Sequence, residues 1–291
     1  MIRVTQFSDL HFSTTGERSH GGFGYDVDVA WDRIFEDAFD QSQPTPDLVV
    51  LTGDIADHGL ADEYIKAAEK LERVPVAMNS CPGNHDLHQP FESHLPRPGL
   101  TMSRTLRVGN WLFLFADSNH SGKEPDASGR LIDKAERMHS APALGAAETA
   151  WLHDTIAETD ADYAFVWVHH PPGAPGAYTT PEYDAEIARV AASQPKLRGV
   201  GAGHTHTDSI VDVGGVDIHT CPAFTINIDY EANTLLPPGY RTYEFGDDGS
   251  VTSTCRFVED ETQWPRNPLP EATVRMFKGE ITWDEMLAEL S

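Results

Sequence analysis

The chain has 291 residues, 40% of them hydrophobic, enough to bury a full core in one large domain or in one domain with an appendage. Its 21 Lys and Arg stand against 46 Asp and Glu, a formal net charge of −25, which argues against a nucleic acid polymer held through phosphate contacts. Cys81, Cys221 and Cys255 are too scattered for a disulfide framework or a thiolate zinc site; with neither an export signal nor an apolar span of about 20 residues, a cytoplasmic protein off the membrane is expected.

In chain order, "IRVTQFSD" is a short apolar strand that runs straight into a polar turn. "DVDVAWDRIFEDAFDQ" follows, with Val27, Ala30, Trp31, Ile34, Phe35, Ala38 and Phe39 at helical spacing, and Pro44 and Pro46 are expected to stop it. "DLVVLTGD" is the next strand. "LADEYIKAAEKLE" is a second helix, with Leu60, Tyr64, Ile65, Ala68 and Leu71 on one side. The strands "VPVAMNSCPG", "WLFLFADS", "YAFVWVHHPP" and "LRGVGAGHTH" then alternate with the helices "GAAETAWLHDTIAE" and "PEYDAEIARVAAS". Strand and helix in alternation predict an α/β layered architecture.

From about residue 209 the pattern changes. "IVDVGGVDIHT", "YRTYEFG" and "VTSTCRFVE" predict consecutive antiparallel hairpins. After Thr262 the chain is richer in proline and charge, and Thr282 with Glu285 has the form of a capping box opening a short terminal helix. That helix's Trp283, Met286, Leu287 and Leu290 need a surface to cover. A homodimer partner is one reading; the chain folding back on itself is the other.

Five polar clusters sit just past the predicted strands, where ligands bind in α/β sheets. They are Asp9 and His11 in "SDLH", Asp54 in "TGD", Asn84 and His85 in "GNHD", His169 and His170 in "VHHPP", and His204 and His206 in "GHTH". Singly, each reads as well as a turn former or a hydrogen-bonded histidine. Together they form a mixed donor set suited to Mn, Fe, Zn or similar ions, with more donors than one tetrahedral site uses. Residues two apart on an extended segment share a face, so Asp9 with His11 and His204 with His206 are each expected to present a pair. His169 and His170, as strand neighbours, should face opposite ways, so that only one enters a site.

The ordered series D-x-H, GD, GNHD, H-x-P and GHxH resembles the calcineurin-like metallophosphoesterase superfamily. Its short forms here, "SDLH", "TGDIADHG", "PGNHD", "VHHPP" and "GHTH", are most similar to those of the class III cyclic nucleotide phosphodiesterases and related bacterial glycerophosphodiesterases. The resemblance implies a four-layer α/β/β/α sandwich, a catalytic domain over residues 1–258 and an extension over 259–291. It also implies two divalent or trivalent ions. Asp9, His11, Asp54 and His206 would hold one, and Asp54, Asn84, His169 and His204 the other, with Asp54 shared. His169 rather than His170 is selected because the family's ligand lies two positions before a proline. His85 would act on the phosphoryl group or the leaving oxygen, and a hydroxide bridging the ions would attack.

The activity so implied is hydrolysis of a small phosphodiester, a cyclic nucleotide or a glycerophosphodiester. A broad phosphomonoesterase, a nuclease and a noncatalytic scaffold are the alternatives; the charge of −25 argues against the nuclease, and the intact donors against the scaffold. Bound cations would reverse the field in an otherwise acidic cleft. His58 reads either as a substrate contact or as a cap before the helix near Leu60, and Asn119 and His120 either as leaving-group contacts or as a solvated loop. Asp86 reads as support for the turn or for a ligand histidine. The loops 12–25, 87–104 and 119–145 would set substrate choice, the first of them as a mobile rim or as simple disorder.

Overall fold

The computed structural model describes residues 1–16, 24–134, 137–174, 178–260, 262–264 and 268–290. Two six-stranded sheets face each other. The first runs, in spatial order, Val251–Phe257, Gly239–Phe245, Ile2–Phe7, Leu48–Thr52, Met78–Cys81 and Leu100–Thr101. The second runs Ser209–Val213, Val216–Thr220, Leu197–Ala202, Tyr163–Trp167, Trp111–Phe115 and Thr105–Val108. Ile2–Phe7, Leu48–Thr52 and Met78–Cys81 pair in parallel, as do Trp111–Phe115, Tyr163–Trp167 and Leu197–Ala202.

The layers follow from side chains alternating across each strand. In Leu48–Thr52, Leu48 and Val50 turn toward the opposing sheet, where Trp111, Phe113, Phe165 and Trp167 lie. Val49 and Leu51 turn outward and pack with Trp31 and Ile34 of the helix Val27–Ala38 and with Tyr64 and Ala67 of Ala61–Leu71. On the second sheet Leu112, Leu114, Ala164 and Val166 turn outward and pack with Leu152 and Ile156 of Gly145–Glu158 and Ile187 of Pro181–Ser193. The result is the expected α/β/β/α sandwich.

Two sequence expectations need correction and a third gains its placement. The helix Val27–Ala38 ends before the prolines: the Phe39 N–H closes onto Phe35 O, 3.1 Å away, and a turn follows. The antiparallel hairpins expected after residue 209 form, and they join different sheets. Ser209–Val213 with Val216–Thr220 extends the second sheet, and Gly239–Phe245 with Val251–Phe257 extends the first beside Ile2–Phe7. Residues 87–144, read mainly as loop around one strand, also hold the helix His88–His94, two short strands and the ribbon Lys123–Pro125/Leu131–Asp133.

Near the C-terminus, Trp264 is buried against Tyr25, with ring centroids 5.4 Å apart. The capping box forms: the Thr282 N–H donates to Glu285 Oε2 (2.7 Å), and the Glu285 N–H to Thr282 Oγ1 (3.3 Å). Met286 is buried within the chain itself, while Leu287 and Leu290 stay 47% and 42% exposed. The Trp283 side chain lies outside what is described, as do residues 17–23 of the expected rim loop. Among the described residues no helix is long and apolar enough to cross a membrane.

Candidate metal centre

The five polar clusters come together where Ile2–Phe7, Leu48–Thr52, Met78–Cys81, Tyr163–Trp167 and Leu197–Ala202 end. The backbone there is not extended, contrary to the pairing expected for Asp9 with His11 and His204 with His206. Among the described residues six non-glycine residues have positive φ, and five are Asp9 (53°), His11 (48°), Asp54 (51°), His204 (69°) and His206 (53°). Left-handed backbone in Asp and His costs energy and persists where surrounding contacts over-determine it. Here those contacts are strand-end hydrogen bonds such as Asp9 N–H to Gly53 O (3.1 Å) and His11 N–H to Asp54 O (2.9 Å).

Two glycines permit this approach. A Cβ on Gly83 would overlap the Asp54 carboxylate, and one on Gly203 would overlap Ser8 Oγ.

Five of these side chains, Asp9, His11, Asp54, Asn84 and His169, are tied on one atom and present the other inward. Asp9 Oδ2 accepts from Ser8 Oγ (2.6 Å) and the His204 N–H (2.9 Å), which turns Oδ1 toward His206 Nε2 at 3.2 Å. Asp54 Oδ1 accepts the His85 N–H (2.8 Å), so Oδ2 lies 3.3 Å from His169 Nε2 and 3.7 Å from His11 Nε2. Asn84 Nδ2 donates to Met138 O (3.0 Å), which assigns its Oδ1 to the inner side, 2.9 Å from His169 Nε2. His169 Nδ1 donates to Thr52 O (2.7 Å), and His11 Nδ1 meets Asp57 Oδ1 at 3.0 Å.

Ring and carboxylate donor atoms lie within 4.8 Å of one another in the sets Asp9, His11, His206; Asp9, Asp54, His169; and His169, His170, His204.

The arrangement calls for positive charge. With a proton already on Nδ1, a neutral His169 would point a lone pair at the oxygens of Asn84 and Asp54. Burial works against the imidazolium, yet Asp54 and Asp9 outweigh it and hold His169 up at about 9; Asp57 and Asp54 do the same for His11, also at about 9. Burial likewise opposes the Asp9 and Asp54 carboxylates, and the facing histidines, chiefly His206 and His169, keep both well below the usual range. His204 is driven the other way, to about 3, by burial and by the charge of His169. Cations fit such a donor set by taking the place of those protons.

His85 lies at the edge of this group, its ring 4.7 Å from that of His11 and its Nδ1 2.6 Å from Asp57 O. Burial lowers its pKa. Strand Tyr163–Trp167 ends before the histidine pair, so no strand alternation separates them. His169 turns to Asn84 and Asp54, while His170 Nδ1 meets Ser118 Oγ at 2.8 Å and its ring packs 4.4 Å from that of His204.

His58 is half-exposed and engaged with buried Glu63: its N–H and its Nδ1 each lie 2.9 Å from a Glu63 oxygen at the start of Ala61–Leu71. Asn119 is buried, with Nδ2 2.9 Å from Asp117 Oδ1, and His120 is exposed against Gly145. Asp86 accepts from the backbone N–H of Ile55, Ala56 and Gly83 and from Tyr64 Oη, which clamps the two loops carrying Asp54 and Asn84.

Sequence reasoning missed the supports Ser8, Asp57, Ser118 and Arg137. Buried Arg137 donates to Gly83 O and to Asp133 Oδ1 (2.6 Å), and so fixes the turn before Asn84. Ser8, the first residue of "SDLH", and Asp57, inside "TGDIADHG", stood within quoted motifs and could have been found there.

The profile of the calcineurin-like phosphoesterases matches residues 2–208. The chain is 23% identical over 268 residues to the 3′,5′-cyclic adenosine monophosphate phosphodiesterase CpdA of Escherichia coli (strain K12), covering 89% of this chain and 90% of that one. It is 26% identical over 265 residues to a probable cyclic nucleotide phosphodiesterase of Fibrobacter succinogenes (85% and 91% covered). With a probable glycerophosphodiester phosphodiesterase, GpdQ, of Arcobacter nitrofigilis it shares 22% over 271 residues (88% and 93%). Among solved structures, a dimetal phosphatase from Danio rerio has the same fold, with a TM-score of 0.61 at 14% identity over 89% of this chain and 99% of that one.

Proposed function

The chain belongs to the calcineurin-like phosphoesterase family, metal-dependent hydrolases of phosphoric esters, and within it we propose a dinuclear phosphodiesterase acting on a small diester, a cyclic nucleotide or a glycerophosphodiester. The observation that carries this reading is the convergence of seven donors from five loops, several with their outer atoms already hydrogen-bonded. Asp9, His11, Asp54 and His206 would hold one ion and Asp54, Asn84, His169 and His204 the second. Asp54 Oδ2, close to both His11 and His169, suits the shared ligand.

Two ions held there, Mn, Fe or Zn, would supply charge neutralisation for phosphoryl oxygens and would lower the pKa of a water toward neutrality. The chain's own residues do the rest. Backbone and side-chain donors hold the carboxylates in one rotamer, so little reorganisation is needed as charge develops. His85 has Nδ1 committed to the Asp57 carbonyl, which leaves Nε2 as the nitrogen to meet a phosphoryl or leaving-group oxygen. The net charge of −25 supports a small substrate over a nucleic acid polymer.

The test is to load the purified chain with Mn, Fe and Zn in turn, count bound metal, and assay bis(p-nitrophenyl) phosphate beside p-nitrophenyl phosphate, cyclic AMP, glycerophosphodiesters and single-stranded DNA. Metal near two per chain with preferential turnover of small diesters is expected; inactivity with every metal would sink the reading. Asn84→Ala should lower occupancy at one ion, and His85→Ala should keep both while slowing turnover by about 10²-fold or more.

A further inference from the structure

Residues alternate across the strand Ile2–Phe7, and Ile2, Val4 and Gln6 share the face that meets the second sheet. Ile2 and Val4 are apolar, as such a face requires. Gln6 is fully buried, and an amide there costs free energy unless every polar atom is bonded.

The polar atoms of Gln6 are well bonded. Nε2 donates to Thr52 Oγ1 (2.8 Å) in the first sheet and to Ala202 O (2.9 Å) in the second, which uses both of its protons. Oε1 accepts from Tyr243 Oη (2.6 Å), which fixes the orientation of the amide.

The partners' places in the chain give this its meaning. Thr52 is two residues before Asp54, Ala202 two before His204, and Gln6 itself three before Asp9. One rigid planar group thus spans the sheets where carboxylates of the first must meet imidazoles of the second. The aromatic packing behind it cannot set that alignment alone, because apolar contact is non-directional and tolerates sliding and repacking. Hydrogen bonds in a buried network do have direction. An apolar side chain of similar size would fill the space without any need for partners, so filling alone does not explain the amide.

We propose that Gln6 is a positioning residue that sets the register between the two sheets, and thereby the geometry of the metal centre. This inference rests on the metal-centre reading above.

The test measures Mn2+ affinity by equilibrium dialysis and the visible spectrum of the Co2+-loaded full chain. Gln6→Met should bind Mn2+ about 10-fold more weakly or worse and shift the cobalt bands. Ile156→Ala, a cavity in the outer layer of the second sheet, should unfold at lower denaturant while keeping wild-type affinity and spectrum. Thr52→Val and Tyr243→Phe each remove one Gln6 partner and should shift affinity in the same direction by a few-fold; they carry the test if Gln6→Met does not fold. Wild-type Mn2+ affinity in every Gln6, Thr52 and Tyr243 variant that folds would overturn the inference while leaving the metal centre standing. A wild-type chain that binds neither ion would remove the metal centre itself.

Discussion

Between the sheets, Trp111, Phe113, Phe165 and Phe245 pack ring against ring, with Phe113 and Phe245 centroids 4.9 Å apart, on backbone that stays in regular strands. At the strand ends, Asp9, Asp54 and His169 are equally buried but are charged, bonded on their outer sides, and two of the three bend into left-handed backbone. Histidine makes the contrast sharpest. His219, between Phe165 and Tyr243 and beside Arg241, is pushed down to about 4 by burial and by the neighbouring guanidinium, whereas His169 is held up at about 9 by carboxylates. One region stores stability in non-directional packing; the other uses it to hold charge and backbone strain in place.

The comparison can be broken most directly at Asp54. Asp54→Ala should lower turnover by on the order of 10³-fold or more, about 4 kcal/mol of barrier; in the metal-free protein it also leaves the buried His11 and His169 without their carboxylate and puts Ala into left-handed backbone that Asp tolerates better, so stability should fall as well. A large fall in the melting temperature of the metal-free protein would show that the site also stabilises the fold. Phe113→Ala is the converse. It should cost about 3–5 kcal/mol in denaturant unfolding and leave metal stoichiometry unchanged.

The acid limb comes next. Because His219 titrates near 4 when folded and near 6.5 when unfolded, the unfolded chain binds more protons between those values. Its contribution is therefore fully present above about pH 6.5 and lost as pH falls toward 4, on the order of 3 kcal/mol in all. Chemical denaturation of wild type and His219→Gln across that range, both stripped of metal, should give curves of different slope; parallel curves would refute the assignment. His11 and His169 act oppositely in the metal-free protein, stabilising it below about pH 6.5 and losing that contribution as pH rises through about 9.

Ser8→Ala is the smallest change. Removing one of the two donors to Asp9 Oδ2 should weaken Mn2+ binding about 10-fold with no change in global stability. Dialysis against Mn2+ measures it, and unchanged affinity would mean that the His204 N–H alone suffices.

Much of this was legible before any coordinates. The helices Gly145–Glu158 and Pro181–Ser193 match their sequence segments end to end, because helical period is a local property, as is the Thr180 cap that opens the second. The Thr282/Glu285 box formed for the same reason. The helix Val27–Ala38 stopped short because its last turn closes on itself, and the late hairpins went to different sheets because hairpin signals do not say which edge is open.

At the centre, the donor types, their order along the chain and their position after strand ends are legible from the residues alone, since composition and spacing are written locally. Which atom of each donor faces inward depends instead on contacts between distant segments. Asn84 is oriented by Met138, 54 positions away, and His169 by Thr52, 117 positions away. Packing between distant segments also makes the paired donors approach through left-handed turns rather than along extended strand, because buried carboxylates and imidazoles take whatever backbone lets them meet the hydrogen-bond partners on neighbouring strand ends and on the other sheet.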